Sequence, residues 1–175
     1  MTLLAQTKSG QTANKPTVKR PAVTRIAKHL LGETLDEWLA IENIDVSRSE
    51  NTILRSELTT IQENGLGNVT LMRGDGSFVS GFRDKKLQSV GLGFDITAAA
   101  QQLAFLKQTY GVPDRLRDVP YHNAFGARWS DTETVWDMPD GTIIEFHVFR
   151  DPAQPWVNVE FSRKELKPAA SNPYK

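Results

Sequence analysis

The chain has three histidines and no cysteine, so proton or metal chemistry must rest on imidazole and carboxylate groups. Glu145 and His147 lie two residues apart in an apolar-alternating run, and on a strand both project from one face. That is ligand spacing for a divalent ion, with Asn158 or Glu160 as a third oxygen donor. A polar patch on a sheet explains the pair more simply, because no second histidine stands nearby to complete a site. His122 sits with Asp118 and Tyr121, and a carboxylate can orient an imidazole base. Its segment offers no serine nucleophile, and no Gly-x-Ser-x-Gly occurs. His29, beside Lys28, reads as solvated. No P-loop, dinucleotide fingerprint, His-Glu-x-x-His or EF-hand pattern is present. No catalytic residue, bound metal or cofactor is therefore expected.

The elements that must position these groups centre on the stretch from Ala127 to Phe149. Two apolar-alternating arms flank Met138-Pro139-Asp140-Gly141, a hairpin signal: Pro139 presets φ, Asp140 suits the next position, and Gly141 accepts a positive φ at a bulge. Asp137 is expected to face Thr142, so Trp136 faces Ile143, Val135 faces Ile144 and Thr132 faces His147. One face then carries Val135, Ile144, Phe146 and Val148. The other carries Trp136, Ile143, Glu145, His147 and Phe149, joined by Trp156 from a final strand, Trp156–Ser162. If helices cover the first face, the second stays open, and contiguous exposed aromatics mark interaction surfaces. Trp136, Ile143, Glu145, His147, Phe149 and Trp156 are thus the candidate binding residues. The competing reading is that loops, the tail or a dimer mate covers them.

Earlier in the chain, Thr34-Leu35-Asp36-Glu37 fits a capping box, and the pattern predicts a helix ending near Asn43. Residues 44–56 read as a loop and Leu58–Ile61 as a strand. Val69–Met72 and Phe78–Phe82 flank Gly74-Asp75-Gly76, a second hairpin signal; the Arg73-Gly74-Asp75 tripeptide is better explained by the turn than by adhesion. A turn at Arg83–Lys86 leads into a strand over 87–94, whose Gly91 and Gly93 leave room for a helix or another backbone. Asp95 or Thr97 caps a second helix with Ile96, Ala99, Ala100, Leu103, Leu106 and Tyr110 on one stripe. Gly111 and Pro113 end it, and residues 112–126 read as a connecting loop.

The 175 residues carry 21 basic and 21 acidic side chains, and the neutral sum argues against a dedicated nucleic-acid binder. Residues 1–28 hold six basic residues and no acid, which leaves an excess of six acidic residues in the rest. That segment lacks apolar periodicity and is expected to be a disordered basic tail, less often a nucleic-acid arm. No apolar window is long enough for a membrane span. Leu3-Leu4-Ala5-Gln6 can be read as the end of a signal whose start is missing, which would imply a periplasmic or secreted protein.

Gly111-Val-Pro113 after a helix, then Asn123-Ala-Phe-Gly126, then Trp129 and Trp136, resembles a group of small uncharacterised bacterial proteins. Their pattern is a turn like Arg83–Leu87, a helix ending Tyr-Gly-x-Pro, then Asn-x-x-Gly and three strands. The match spans about residues 78–162. More distantly, the layout is similar to the outer-membrane assembly factor BamE and the β-lactamase-inhibitor-like fold, which implies helices on one face of an antiparallel sheet and binding to other proteins. The lipid-carrying cysteine of BamE is missing here.

The expected architecture is α+β, two-layered, a mainly antiparallel sheet with two helices on one face, in the order α-β-β-β-α-β-β-β. It occupies residues 29–166, with 29–94 and 95–166 as two degenerate αβββ halves, and a frayed end over 167–175. The expected function is a non-enzymatic protein-binding or assembly module, with another protein or a second copy as partner. The alternatives are a small hydrolase or metal enzyme using His122 or Glu145 with His147, and a nucleic-acid-associated protein acting through the tail.

Overall fold

Thr34 starts the first helix as its sequence suggests. In the computed structural model the Glu37 amide donates to Thr34 Oγ1 at 3.3 Å and the Thr34 amide donates to Glu37 Oε2 at 2.7 Å. The described residues are 20–23, 25–74, 76–122, 126, 128–151 and 154–163. Helix α1 (Leu35–Glu42) buries Leu35 and Trp38 and ends at Asn43 in the left-handed conformation. A second helix, α2 (Thr52–Asn64), takes the place of the expected loop and strand. Asn51 Oδ1 accepts from the Leu54 amide at 3.1 Å, Gly65 ends the helix at φ 73°, and Leu54, Leu58 and Ile61 form its buried stripe. Leu58–Ile61 is therefore helical. The spacing of 54, 58 and 61 was the signal, and the β-branched Thr59, Thr60 and Ile61 obscured it.

Three strands follow as an antiparallel meander: β1 (Gly67–Arg73), β2 (Gly76–Arg83) and β3 (Lys86–Asp95). Asp84 and Lys85 both have positive φ, so a tight primed turn joins the last two. Helix α3 (Ala99–Tyr110) comes next, and Asp95 caps the 3-10 turn that leads into it by accepting from the Thr97 amide at 2.8 Å. The segment read as a connecting loop then contains a strand, β4 (Arg115–His122), paired along its length with β5 (Arg128–Asp137). Strands β6 (Thr142–Phe149) and β7 (Trp156–Arg163) complete a second meander. The two meanders join through β3 and β7 into one seven-stranded antiparallel sheet, ordered β1-β2-β3-β7-β6-β5-β4. The α+β class with an antiparallel sheet holds; among the described residues, three α-helices and seven strands replace the two and six of the expected order.

One apolar cluster joins the helices to one face of the sheet: Trp38, Leu58, Ile61 and Leu106 meet Phe78, Val90, Ile144, Phe146, Val157, Val159 and Phe161. Burying large side chains of this kind stabilises by roughly 1.5–3 kcal/mol each.

The hairpin register differs from the expectation by one residue. The loop is Pro139-Asp140-Gly141, and Met138, not Asp137, pairs with Thr142: the Met138 amide donates to Thr142 O at 2.8 Å. Asp137 then opposes Ile143, Trp136 opposes Ile144, and Glu133 opposes His147. A slip of one residue turns every side chain of a strand to the other face. Trp136 consequently lies on the helix side, fully buried, and its Nε1 donates to Gly111 O at 2.9 Å. Val135 takes its place on the opposite face.

The expected tail boundary at residue 28 also moves. Arg20 donates to Val112 O at 2.6 Å and to Asp137 O at 3.0 Å and pairs with Asp114; the Val23 amide donates to Asp140 Oδ2 at 2.8 Å. Ile26 is buried in the core. Residues 1–19, the frayed end at 167–175 and Asp75 of the Arg-Gly-Asp tripeptide lie outside the described residues.

Candidate functional site

The site is built on the sheet face turned away from the helices. Val135 and Ile143 are buried there, yet neither belongs to the cluster that the helices pack against. Across the middle of this face one row of neighbours reads Arg117, Glu133, His147, Asn158 and Gly93, from β4 to β3. The next row reads Arg115, Val135, Glu145, Glu160 and Gly91. Antiparallel pairing places directly opposed side chains about 5 Å apart at their Cβ atoms, so these charged groups interact.

They do so at short range. His147 Nε2 lies 3.4 Å from Glu133 Oε1 and 3.8 Å from Glu145 Oε2. Glu133 and Glu145 are only 2% and 5% exposed. Arg117 forms an ion pair with the other oxygen of Glu133, and this bond, stronger than the cost of burial, pushes the guanidinium further up. Burial holds His147 below its ordinary value, against the opposing pull of Glu133 and Glu160. Burial likewise raises Glu160, while His147 works the other way. The ligand atoms of Glu133, Glu145 and His147 all lie within 4.8 Å of one another. Two residues along β7 from Glu160, the buried hydroxyl of Ser162 has no hydrogen-bond partner.

At one end of the same face the aromatic side chains stack. Phe149 lies face to face with Trp156, ring centroids 4.5 Å apart and planes within 9°. His147 stacks on Phe149 from the polar side at 5.5 Å. Tyr121 meets Phe149 edge-on at 6.3 Å and stacks on Trp129 at 6.1 Å. Trp156 is 39% exposed. Gly93 lies beneath it, and a Cβ there would make only an ordinary 3.7 Å contact with the indole ring but would collide with the hydroxyl of Ser77, its partner on β2. The room left by Gly93 thus admits a side chain of the neighbouring strand β2, not a helix. Beside Tyr121 and Trp129, where β4 ends and β5 begins, lies a depression of about 700 Å³ that His122 and Arg128 also line.

Of the six binding candidates, the structure brings Ile143, Glu145, His147, Phe149 and Trp156 onto this face and sends Trp136 into the core. Ile143 is buried in the floor, only 7% exposed. Glu133 escaped the sequence reading because the slipped register put Thr132 opposite His147. Arg117 and Tyr121 escaped it because their strand was read as a loop. His122 is exposed at the end of β4, one residue from Tyr121 and therefore on the opposite side of the strand. His29 is the reverse of a solvated residue: it is fully buried, bonded through Nδ1 to Glu33 and through Nε2 to Glu42 at 2.8 Å, and stacked on Trp38.

The described residues define an α+β protein whose antiparallel sheet packs helices against one side and carries ionisable and aromatic groups, several of them buried, on the other. Comparison with family models, curated proteins and solved structures gives no match to this chain. No described helix is long and apolar enough to cross a membrane.

Proposed function

We propose that the chain is a non-enzymatic binding module that takes a partner protein on the sheet face turned away from the helices. The observation that carries this reading is the Phe149–Trp156 stack, part of it open to solvent on a face that the helices leave alone. Stacked aromatic rings bring large contact area at low entropic cost, and Trp and Tyr dominate the energetics of protein interfaces. The strands beneath hold the rings in place before any partner arrives, which lowers the cost of ordering them on binding. His147, stacked on Phe149, supplies a polar border, and Tyr121 and Trp129 extend the row to the hairpin end.

The test compares variants as affinity baits in native extract. Wild type and Leu116→Ala, a change at an exposed residue on the helix side of β4, should retain the same partner. Trp156→Ala and Phe149→Ala should lose it while remaining folded. A partner held equally by all four proteins, or by none, contradicts the reading.

A further inference from the structure

We infer that the second sheet face holds a divalent transition-metal ion, with Glu133, Glu145 and His147 as its protein ligands. The inference shares the face of the docking reading, and His147 with it, but rests on donor atoms where the docking reading rests on the aromatic rings. Glu133 and His147 are direct cross-strand partners on β5 and β6, and Glu145 is one strand repeat before His147. Two paired interior strands fix all three Cα positions, so the site needs no loop to order. Donor atoms about 2.1 Å from a tetrahedral ion stand about 3.4 Å from one another. His147 Nε2 is already 3.4 Å from Glu133 Oε1 and 3.8 Å from Glu145 Oε2.

The donor chemistry narrows the ion. One imidazole and two carboxylates suit zinc or manganese better than calcium or magnesium, which favour all-oxygen shells. Both carboxylates are nearly removed from solvent, so bringing them together raises their mutual repulsion, and a dication at their centre offsets it. Arg117, held on the far oxygen of Glu133, orients that carboxylate towards His147, the role of an outer-shell partner. Three protein donors leave at least one coordination position for water or for a donor group of a partner. The stacking of His147 on Phe149 ties the site mechanically to the aromatic row.

The probe is Zn²⁺ titrated calorimetrically into the metal-free full chain, with thermal unfolding followed in parallel. The inference expects one saturable site and a raised thermal midpoint, retained in His122→Ala and lost in both His147→Ala and Glu145→Gln. Mg²⁺ and Ca²⁺ at the same concentration should leave the midpoint unchanged. Because either site variant can disturb packing, a second reading uses the wild type: the imidazole nitrogen resonances of His147 should shift with Zn²⁺ while those of buried His29 stay fixed. Absence of saturable binding, binding that survives both site variants, or an unmoved His147 resonance overturns the inference. A chain that still captures its partner but shows no Zn²⁺ binding overturns the metal site alone. A chain that binds Zn²⁺ through His147 but captures nothing supports the metal site and removes only the docking reading.

Discussion

His29 lies between two carboxylates with no exposure to solvent, and through Glu42 it connects to Arg73, whose guanidinium also stands 4.5 Å above the Phe78 ring. This network fastens the segment before α1 to the core. Burial by itself would raise the Glu42 carboxyl, but the hydrogen bonds from Arg73 and His29 outweigh it and hold the group below its ordinary 4.5. A carboxylate lowered on folding contributes stability above its unfolded value and loses it as pH falls through the folded value. Wild type should therefore lose stability steeply below about pH 4.5, and Glu42→Gln should show a shallower loss over that interval. Denaturant unfolding at a series of pH values reads the two slopes, and equal slopes would remove Glu42 from this role. At this scale the sequence was readable only where neighbours in sequence decide the outcome. The Thr34–Glu37 capping box is local, and it formed as expected. The surroundings of Glu133, and of His29 apart from Glu33 four residues on, depend on partners from other elements and could not be seen from the residues alongside.

Among the elements, the clearest sequence signals were turns and caps: Asp84-Lys85, Pro139-Asp140-Gly141 and Gly111 each fall where the chain reverses or a helix ends. The hairpin was legible, but the length of its loop was not, because the same four residues close a register one position either way. That single slip accounts for the misplacement of Trp136 and the omission of Glu133. Strand β4 was hidden for another reason. It is an edge strand, rich in charge and interrupted by Pro120, and edges tolerate both because one side of the ladder needs no donor. Gly111 has φ 81° and ψ −161°, a conformation almost confined to glycine, while its amide closes the helix on Lys107 O at 2.9 Å and its carbonyl receives Trp136. Gly111→Ala should cost about 1–3 kcal/mol in denaturant unfolding. A neutral or stabilising result would mean that α3 ends elsewhere.

Taken whole, the described residues form two antiparallel meanders sealed edge to edge through β3 and β7, with the apolar core on the helix side and the Glu133–His147 and Phe149–Trp156 groups on the other. The class could be read from the grouping of strands and helices along the chain. The sealing of the meanders could not, because contacts between β3 and β7 join residues more than sixty positions apart and leave no local trace. The N-terminal segment reinforces the second meander: Arg20 bridges Val112 and the β5–β6 hairpin, and Ile26 fills the core. Removing residues 1–28 should lower the thermal midpoint by several degrees, since losing a buried Ile side chain alone costs about 2–5 kcal/mol. An unchanged midpoint would show that these contacts add nothing in solution. The division of the sheet into a core face and a face the helices leave alone is the claim on which the rest depends, and two tryptophans test it. Trp136→Ala and Trp156→Ala should be unfolded side by side in denaturant. The account predicts a loss of about 3–5 kcal/mol at Trp136 and no more than about 1–2 kcal/mol at Trp156. Equal large losses, or the greater loss at Trp156, would place both rings in one core and contradict it.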